Sequence, residues 1–244
     1  PRTKAIAPVD FGGNPLPIQN IKALCEKHKL FLIEDASHAL GSEMDGEKVG
    51  NGADMTIFSF HAIKPITTFE GGAIATNNTD FYEKAKLLRS HGIVKKELWN
   101  SDMIMLGENY RLSDVACTLG LSQLKRLDSF IQRRNDIAAF YDERFAKNPF
   151  FTTIAINAPK KSARHLYPIL LDRSLWCSKE EIFKALHAKG LGVQVHYKPV
   201  YQFSYYKERF GEQSLPVTED FYRAELSIPC HQGMSIEDAA HVAD

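Results

Sequence analysis

Within its first 35 residues the chain runs from a short apolar segment through an amphipathic period to a second apolar segment, and that order restricts the fold more than any other feature. Lys4–Val9 reads as a short strand and Gly12-Gly13-Asn14-Pro15 breaks it. Ile18, Ile21, Leu24 and Cys25 then recur at a helical period. Leu30-Phe31-Leu32-Ile33 is a continuous apolar run, as expected of a strand buried on both faces. A strand, helix, strand unit predicts parallel pairing with a right-handed crossover, hence an α/β class. Ligands of open α/β sheets bind outside the carboxyl ends of the strands, where Glu34-Asp35-Ala36-Ser37-His38 falls. Asp35 is therefore placed to serve a ligand, although an acid after a strand is more often a cap or turn residue.

Farther along, Asp45-Gly46 and Asn51-Gly52 mark turns, Met55–Phe60 reads as a buried strand, and Gly71-Gly72 leads into a strand over Ala73–Thr76. Asp80 and Glu83 have capping-box spacing for a helix that reaches about Ser90, with Gly92 as its stop. Val94–Tyr110 shows no period and is expected to be loop. Ser113 caps a helical pattern running to about Asn148; a span of that length joins two domains or breaks between Asp128 and Arg134. After Pro149 the organisation becomes α+β. It comprises a strand over His165–Leu171, a capping box at Ser178, a second strand over Gly192–Tyr197, and helices capped by Thr218 and Ser235. The expected division is a large domain over 1–148 and a small C-terminal one over 149–244.

Lys plus Arg and Asp plus Glu number 30 each. Without a net field, neither nucleic acid nor an anionic membrane is an expected partner. Cys25, Cys117, Cys177 and Cys230 lie far apart with no CxxC pair, the usage of a reduced, cytoplasmic protein. No apolar run nears the roughly 20 residues that span a bilayer. The nine His show neither HxxxH nor HExxH spacing, so no metal site is expected. With no initiator Met and an uncapped helical pattern at its end, the chain reads as a fragment.

The chemistry centres on Lys64. It follows a strand ending near Phe60 and precedes Pro65, which biases it toward extended backbone. A lone loop lysine is ordinarily a solvated charge, whereas Schiff-base chemistry needs a neutral amine held beside a carbonyl away from bulk water. Lys64 for the carbonyl, Asp35 at a strand end for a pyridine nitrogen, and the Ser59 hydroxyl for a phosphate are the parts a pyridoxal-phosphate (PLP) site needs. His38 would lie against the cofactor ring or near its phenolic oxygen.

EDASHALGS (Glu34–Ser42), FSFHAIKPITTFEGG (Phe58–Gly72), GENYRLSD (Gly107–Asp114) and VHYKPVYQ (Val195–Gln202) together resemble the DegT/DnrJ/EryC1/StrS sugar aminotransferases, in order and over nearly the whole chain. The resemblance implies a fold-type I, aspartate aminotransferase-like PLP enzyme, with a mostly parallel large α/β domain and a small α+β domain. Lys64 matches the family's cofactor-bonding lysine, Asp35 its pyridine-nitrogen partner, His38 the residue beside the ring and Ser59 a phosphate ligand. Asn109 matches an asparagine that reaches the phosphate of the neighbouring subunit, implying a homodimer. His196 and Tyr197 fall in the substrate stretch of the small domain; polar residues there also suit the wet face of a strand.

KPITTFEGG, GLSQLKR and VHYKPVYQ point within the family to transaminases of the pseudaminic-acid type, which aminate a UDP-linked 4-keto-6-deoxy sugar with L-glutamate. The family more often has Gly where Phe69 stands. Its further N-terminal residues include a phosphate-cupping turn at a helix end and a ring-stacking aromatic. Two alternatives remain: a non-catalytic fragment or oligomerisation partner of the same fold, and a PLP-dependent sugar dehydratase, whose members carry His at the lysine position.

Overall fold

The computed structural model describes residues 2–244. β1 (Ala5–Ile6) and β2 (Phe31–Asp35) pair in parallel across α1 (Ile18–His28), with Ala5 opposite Phe31. The helix ends where Lys29 turns to φ +53° and the Leu30 N–H closes onto the Cys25 carbonyl at 2.9 Å. β2 is not covered on both faces as expected. Leu32 and Glu34 are buried, whereas Phe31 is half exposed and meets Phe81 edge-on at 5.6 Å. The strand thus has one core face, and one of the two side chains filling it is an acid.

β3 (Glu43–Met44) and β4 (Glu47–Lys48) form a hairpin over Asp45 and Gly46, both at positive φ (+54° and +81°), the conformation that two-residue turns require. β5 (Met55–Ser59) lies parallel to β2 with Glu34 opposite Thr56, and β6 (Gly72–Ala75) runs antiparallel to β5 with Ser59 opposite Gly72. The sheet order β1-β2-β5-β6 is thus mostly parallel.

α2 (Thr79–Arg89) is capped by Asn78, whose Oδ1 accepts from the Phe81 N–H at 3.1 Å, and not by the Asp80 box. Asn78 has the extended backbone an N-cap needs, whereas Asp80 is already helical. The expected loop from Val94 contains a hairpin, β7 (Ile93–Lys95) with β8 (Ser101–Met103). Its three-residue strands, one of them Ser-Asp-Met, are too short and polar to show a period. α3 (Asp114–Leu124) starts at the expected Ser113 cap, and α4 (Leu127–Phe145) follows a break at Lys125-Arg126, just ahead of the span expected.

The described chain forms two compact units. One runs to Ser129 and includes Ala158–Ala163; the other comprises Phe130–Asn157 and Arg164–Asp244. The division therefore falls inside α4 and not at 148. Beyond β9 (Phe151–Thr153), β10 (Lys160–Lys161) belongs to the first unit, pairing antiparallel with β3.

In the second unit β11 (Tyr167–Leu171) runs antiparallel to β9. With it are α5 (Lys179–Ala188), α6 (Ser204–Phe210), α7 (Pro216–Ala224), β12 (Glu225–Ile228), also antiparallel to β11, and α8 (Ile236–Ala243). Ile137, Tyr141, Tyr167, Val193 and Leu226 fill the core. Ser235 is the expected cap of α8 and forms a capping box with Asp238, but two other expected caps fail. Ser178 already sits in a 3-10 turn leading into α5, and Leu215 with Pro216 at the first position starts α7 ahead of Thr218.

The expected strand over Gly192–Tyr197 is a single bridge, Gln194 to Ser227. Past it the His196 N–H donates to the Glu225 side chain at 2.7 Å instead of to a strand carbonyl, so the ladder stops. No described helix is long and apolar enough to cross a membrane.

Candidate active site

The two-residue period of β2 sends Glu34 and Asp35 to opposite faces. Glu34 goes into the core, where Thr56, its in-register partner, donates Oγ1–H to Oε2 at 2.8 Å. Asp35 ends the strand. Its backbone is held on both sides, the N–H by the Pro8 carbonyl (2.9 Å) and the carbonyl by the Asp10 N–H (3.0 Å); its Oδ1 accepts from the Ser37 N–H at 3.0 Å. The carboxylate is thus fixed at the carboxyl edge of the parallel strands.

β5 ends at Ser59, and the chain makes a closed loop before returning as β6. Phe60 N–H to Gly71 O (2.8 Å) and Thr68 N–H to Phe60 O (2.9 Å) tie its base, and Lys64 N–H to His61 O (3.0 Å) makes the turn that presents Lys64. Lys64 is half-buried. Burial pushes its ammonium below the ordinary lysine range, and the nearby Asp35 carboxylate partly opposes this. Among the described residues its Nζ makes no hydrogen bond or ion pair. The arrangement leaves a lysine amine at the sheet edge, loosely paired with an acid and free to bond a carbonyl.

Ser59 closes the same edge, its Oγ accepting from the His61 N–H at 3.4 Å. His38 is buried beside Phe11, with ring centroids 6.1 Å apart, and its Nδ1 accepts from the Gly12 N–H at 3.2 Å. In the neutral ring the proton therefore sits on Nε2. Asn109 lies in the same unit, in an antiparallel bridge with Ser90, and no described hydrogen bond joins it to Asp35 or Lys64.

His196 and Tyr197 belong to the second unit. His196 Nδ1 lies 2.8 Å from Ser227 Oγ, which donates to Glu225 Oε1 at 2.6 Å; the Tyr197 ring stands edge-on to His196 at 4.6 Å. Burial raises the Glu225 carboxyl, and the Ser227 hydroxyl, the His196 N–H and Lys179 partly lower it again. Sequence reasoning missed Glu225 and Ser227 because it placed no strand over Glu225–Ile228, and an acid there without a strand reads as solvated. It also missed Asp10, marked only by its place between a strand and a Gly-Gly breaker.

The chain belongs to the DegT/DnrJ/EryC1/StrS aminotransferase family, whose profile matches residues 1–244. It is 60% identical over 240 residues to a UDP-4-amino-4,6-dideoxy-N-acetyl-beta-L-altrosamine transaminase of Campylobacter jejuni, covering 98% of this chain and 64% of that protein. To the protein of the same description in Helicobacter pylori the identity is 45% over 242 residues, covering 99% and 64%. Among solved structures it is similar to the H. pylori aminotransferase involved in the biosynthesis of pseudoaminic acid (TM-score 0.96, 45% identity, 99% of this chain and 65% of that one). A putative sugar aminotransferase of Streptococcus pneumoniae in its PLP form is also similar (TM-score 0.92, 29% identity, 99% and 67%). The architecture is that of the PLP-dependent, fold-type I aminotransferases. The chain spans about two thirds of the length of the relatives it matches.

Proposed function

We propose that this chain carries the cofactor-bonding site of a PLP-dependent transaminase that aminates a UDP-linked 4-keto-6-deoxy sugar of the pseudaminic-acid type, with L-glutamate as donor. One observation carries the reading: a half-buried lysine amine, lowered by burial and without a hydrogen-bond partner among the described residues, stands near a carboxylate at the carboxyl edge of parallel strands. That donor set fits PLP. Lys64 Nζ would hold the aldehyde carbon, Asp35 would keep the pyridine nitrogen protonated, Ser59 Oγ–H would donate to the phosphate and His38 would flank the ring. When bound, PLP supplies an electron-poor ring that accepts the electron pair left as the donor's α-proton departs. The Lys64 amine, whose burial lowers its affinity for protons, would be the group on this chain placed to take up that proton and pass it on.

His196 and Tyr197 are assigned to the sugar, with the Glu225–Ser227 pair orienting the imidazole. The C. jejuni and H. pylori relatives, both UDP-sugar transaminases, support the nucleotide-sugar class. A cytoplasmic homodimer, with Asn109 completing the partner's phosphate site, belongs to the same proposal.

The test is to mix the chain with PLP, reduce with borohydride and locate the adduct by peptide mass spectrometry. An adduct on Lys64 is expected, with none there and no amino transfer in Lys64→Ala. Adducts scattered over surface lysines, or turnover surviving in Lys64→Ala, would overturn the assignment.

A further inference from the structure

We propose that Asp10 and Glu34 share a single proton, and that this buried carboxyl–carboxylate pair is the positioning element behind the candidate site. It would fix both the end of β2 at Asp35 and the turn that orients His38. The functional meaning of the pair rests on the roles given above to Asp35 and His38; the proton sharing does not.

Hydrogen-bond accounting assigns the proton. Asp10 and Glu34 are 0% and 1% exposed. Burial raises the Glu34 carboxyl, but it accepts from Thr56 Oγ1–H and from the Gly50 backbone N–H, which favour its charged form and make it the acceptor of the pair. Asp10 Oδ1 accepts from the Leu16 N–H at 3.1 Å, but its Oδ2 is buried with no donor, and the side chain it meets is Glu34. Two ionised carboxylates cannot bond each other, since both are acceptors only. A proton on Asp10 Oδ2, donated to Glu34, satisfies the orphan oxygen and removes one buried charge.

The charges around Asp10 agree. Burial and then Glu34 push its carboxyl up, and Asp35 adds to this. The Leu16 N–H and Lys160, which lies on β10 and donates to Asn14 Oδ1 at 3.2 Å, pull it down. The balance places it at about 7.

The backbone of Asp10 links this pair to the site. Its N–H holds the Asp35 carbonyl, and its carbonyl accepts from the Gly13 N–H at 3.0 Å, closing the Phe11–Gly13 turn. Gly12 of that turn donates to His38 Nδ1. Ser42 Oγ–H and Ser162 Oγ–H both bind the Gly13 carbonyl, so the turn is a rigid relay from the acid pair to the imidazole.

The sign of the pH dependence follows from linkage. Asp10 titrates at the ordinary 3.8 when unfolded and at about 7 when folded. Between those values the native state holds the proton and the unfolded state does not. Stability therefore falls as pH rises through that window and levels off above it. The unfolding constant of the wild-type chain should rise by up to about tenfold per pH unit relative to Asp10→Asn, whose amide donates to Glu34 at every pH. Parallel curves for the two proteins from pH 4 to 8 would overturn the shared proton.

Infrared difference spectra of the unmodified chain test the same point without a variant. A protonated-carboxyl band present at pH 6 and lost by pH 8 is expected; none at pH 6 would overturn it. For the positioning role, side-chain nitrogen shifts of His38 should keep the Nε2–H signature in Asp10→Asn and lose it in Asp10→Ala. An unchanged signature in Asp10→Ala would overturn it. None of these readings needs the cofactor, so failure of the Lys64 adduct and failure of this proposal are separate results.

Discussion

Phe69 shows how a single residue reports the demands of the site loop. Its φ of +67° costs an L residue about 1–2 kcal/mol, and with the side chain 67% exposed little burial offsets it. The family's usual Gly at this place has a physical reason here. Phe69→Gly should stabilise the chain by about 0.5–1 kcal/mol in urea denaturation, the relieved strain exceeding the extra entropy of an unfolded glycine. A loss of stability would show that the loop needs the ring. Lys64 and Asp35 were legible in the sequence because each sits at a strand end next to a turn signal. Glu34 was legible only as half of an acidic pair. Its burial depends on Thr56, a partner that only the strand register brings opposite. Glu225 is similar: Ser227 and the His196 backbone satisfy it, and no local pattern predicts either contact.

At the scale of elements, what was legible was whatever carries its own signal. The β1-α1-β2 unit shows its periods, the β3–β4 hairpin its Asp-Gly turn, and α8 its Ser235 cap. What was not legible depends on backbone partners elsewhere. β7 and β8 hold each other by ladder bonds that their side chains do not announce, and the stretch after Gln194 looks like a strand until the Glu225 carboxylate takes its next N–H. The β5–β6 pair has such a hidden requirement of its own. A Cβ on Gly72 would stand 2.6 Å from the Phe58 carbonyl oxygen, too close for either strand to stay in place. Gly72→Ala should therefore cost about 1–3 kcal/mol, as overpacking does. Because Gly72 pairs with Ser59, the borohydride-fixed adduct on Lys64 should fall with it. Unchanged stability with a full adduct would mean that the strands separate there without consequence for the loop.

At the scale of the molecule, the first unit exposes more apolar surface around β7–β8 than a single chain usually leaves to water. Leu98 is fully exposed and Trp99 82%, with Met103, Ile104, Leu106 and Tyr110 also open. Asn109 lies within this stretch, bridged to Ser90 at the foot of the hairpin, and shares no described hydrogen bond with Lys64. Both facts fit an asparagine that serves a second copy across a two-fold interface. Subunit mixing separates that arrangement from one within a single chain. Lys64→Ala and Asn109→Ala, each weak or inactive alone, are unfolded together and refolded as a mixture, and amino transfer is measured. If Asn109 acts across the interface, each mixed dimer has one site with both residues intact. With half the dimers mixed, activity should recover toward about a quarter of wild type. If Asn109 acts within its own chain, every site in the mixed dimer lacks one residue, and activity stays at the mean of the two parents. That second outcome, obtained with mixed dimers demonstrated by mass, would remove Asn109 from the partner's site and leave the exposed hairpin to be explained by another contact.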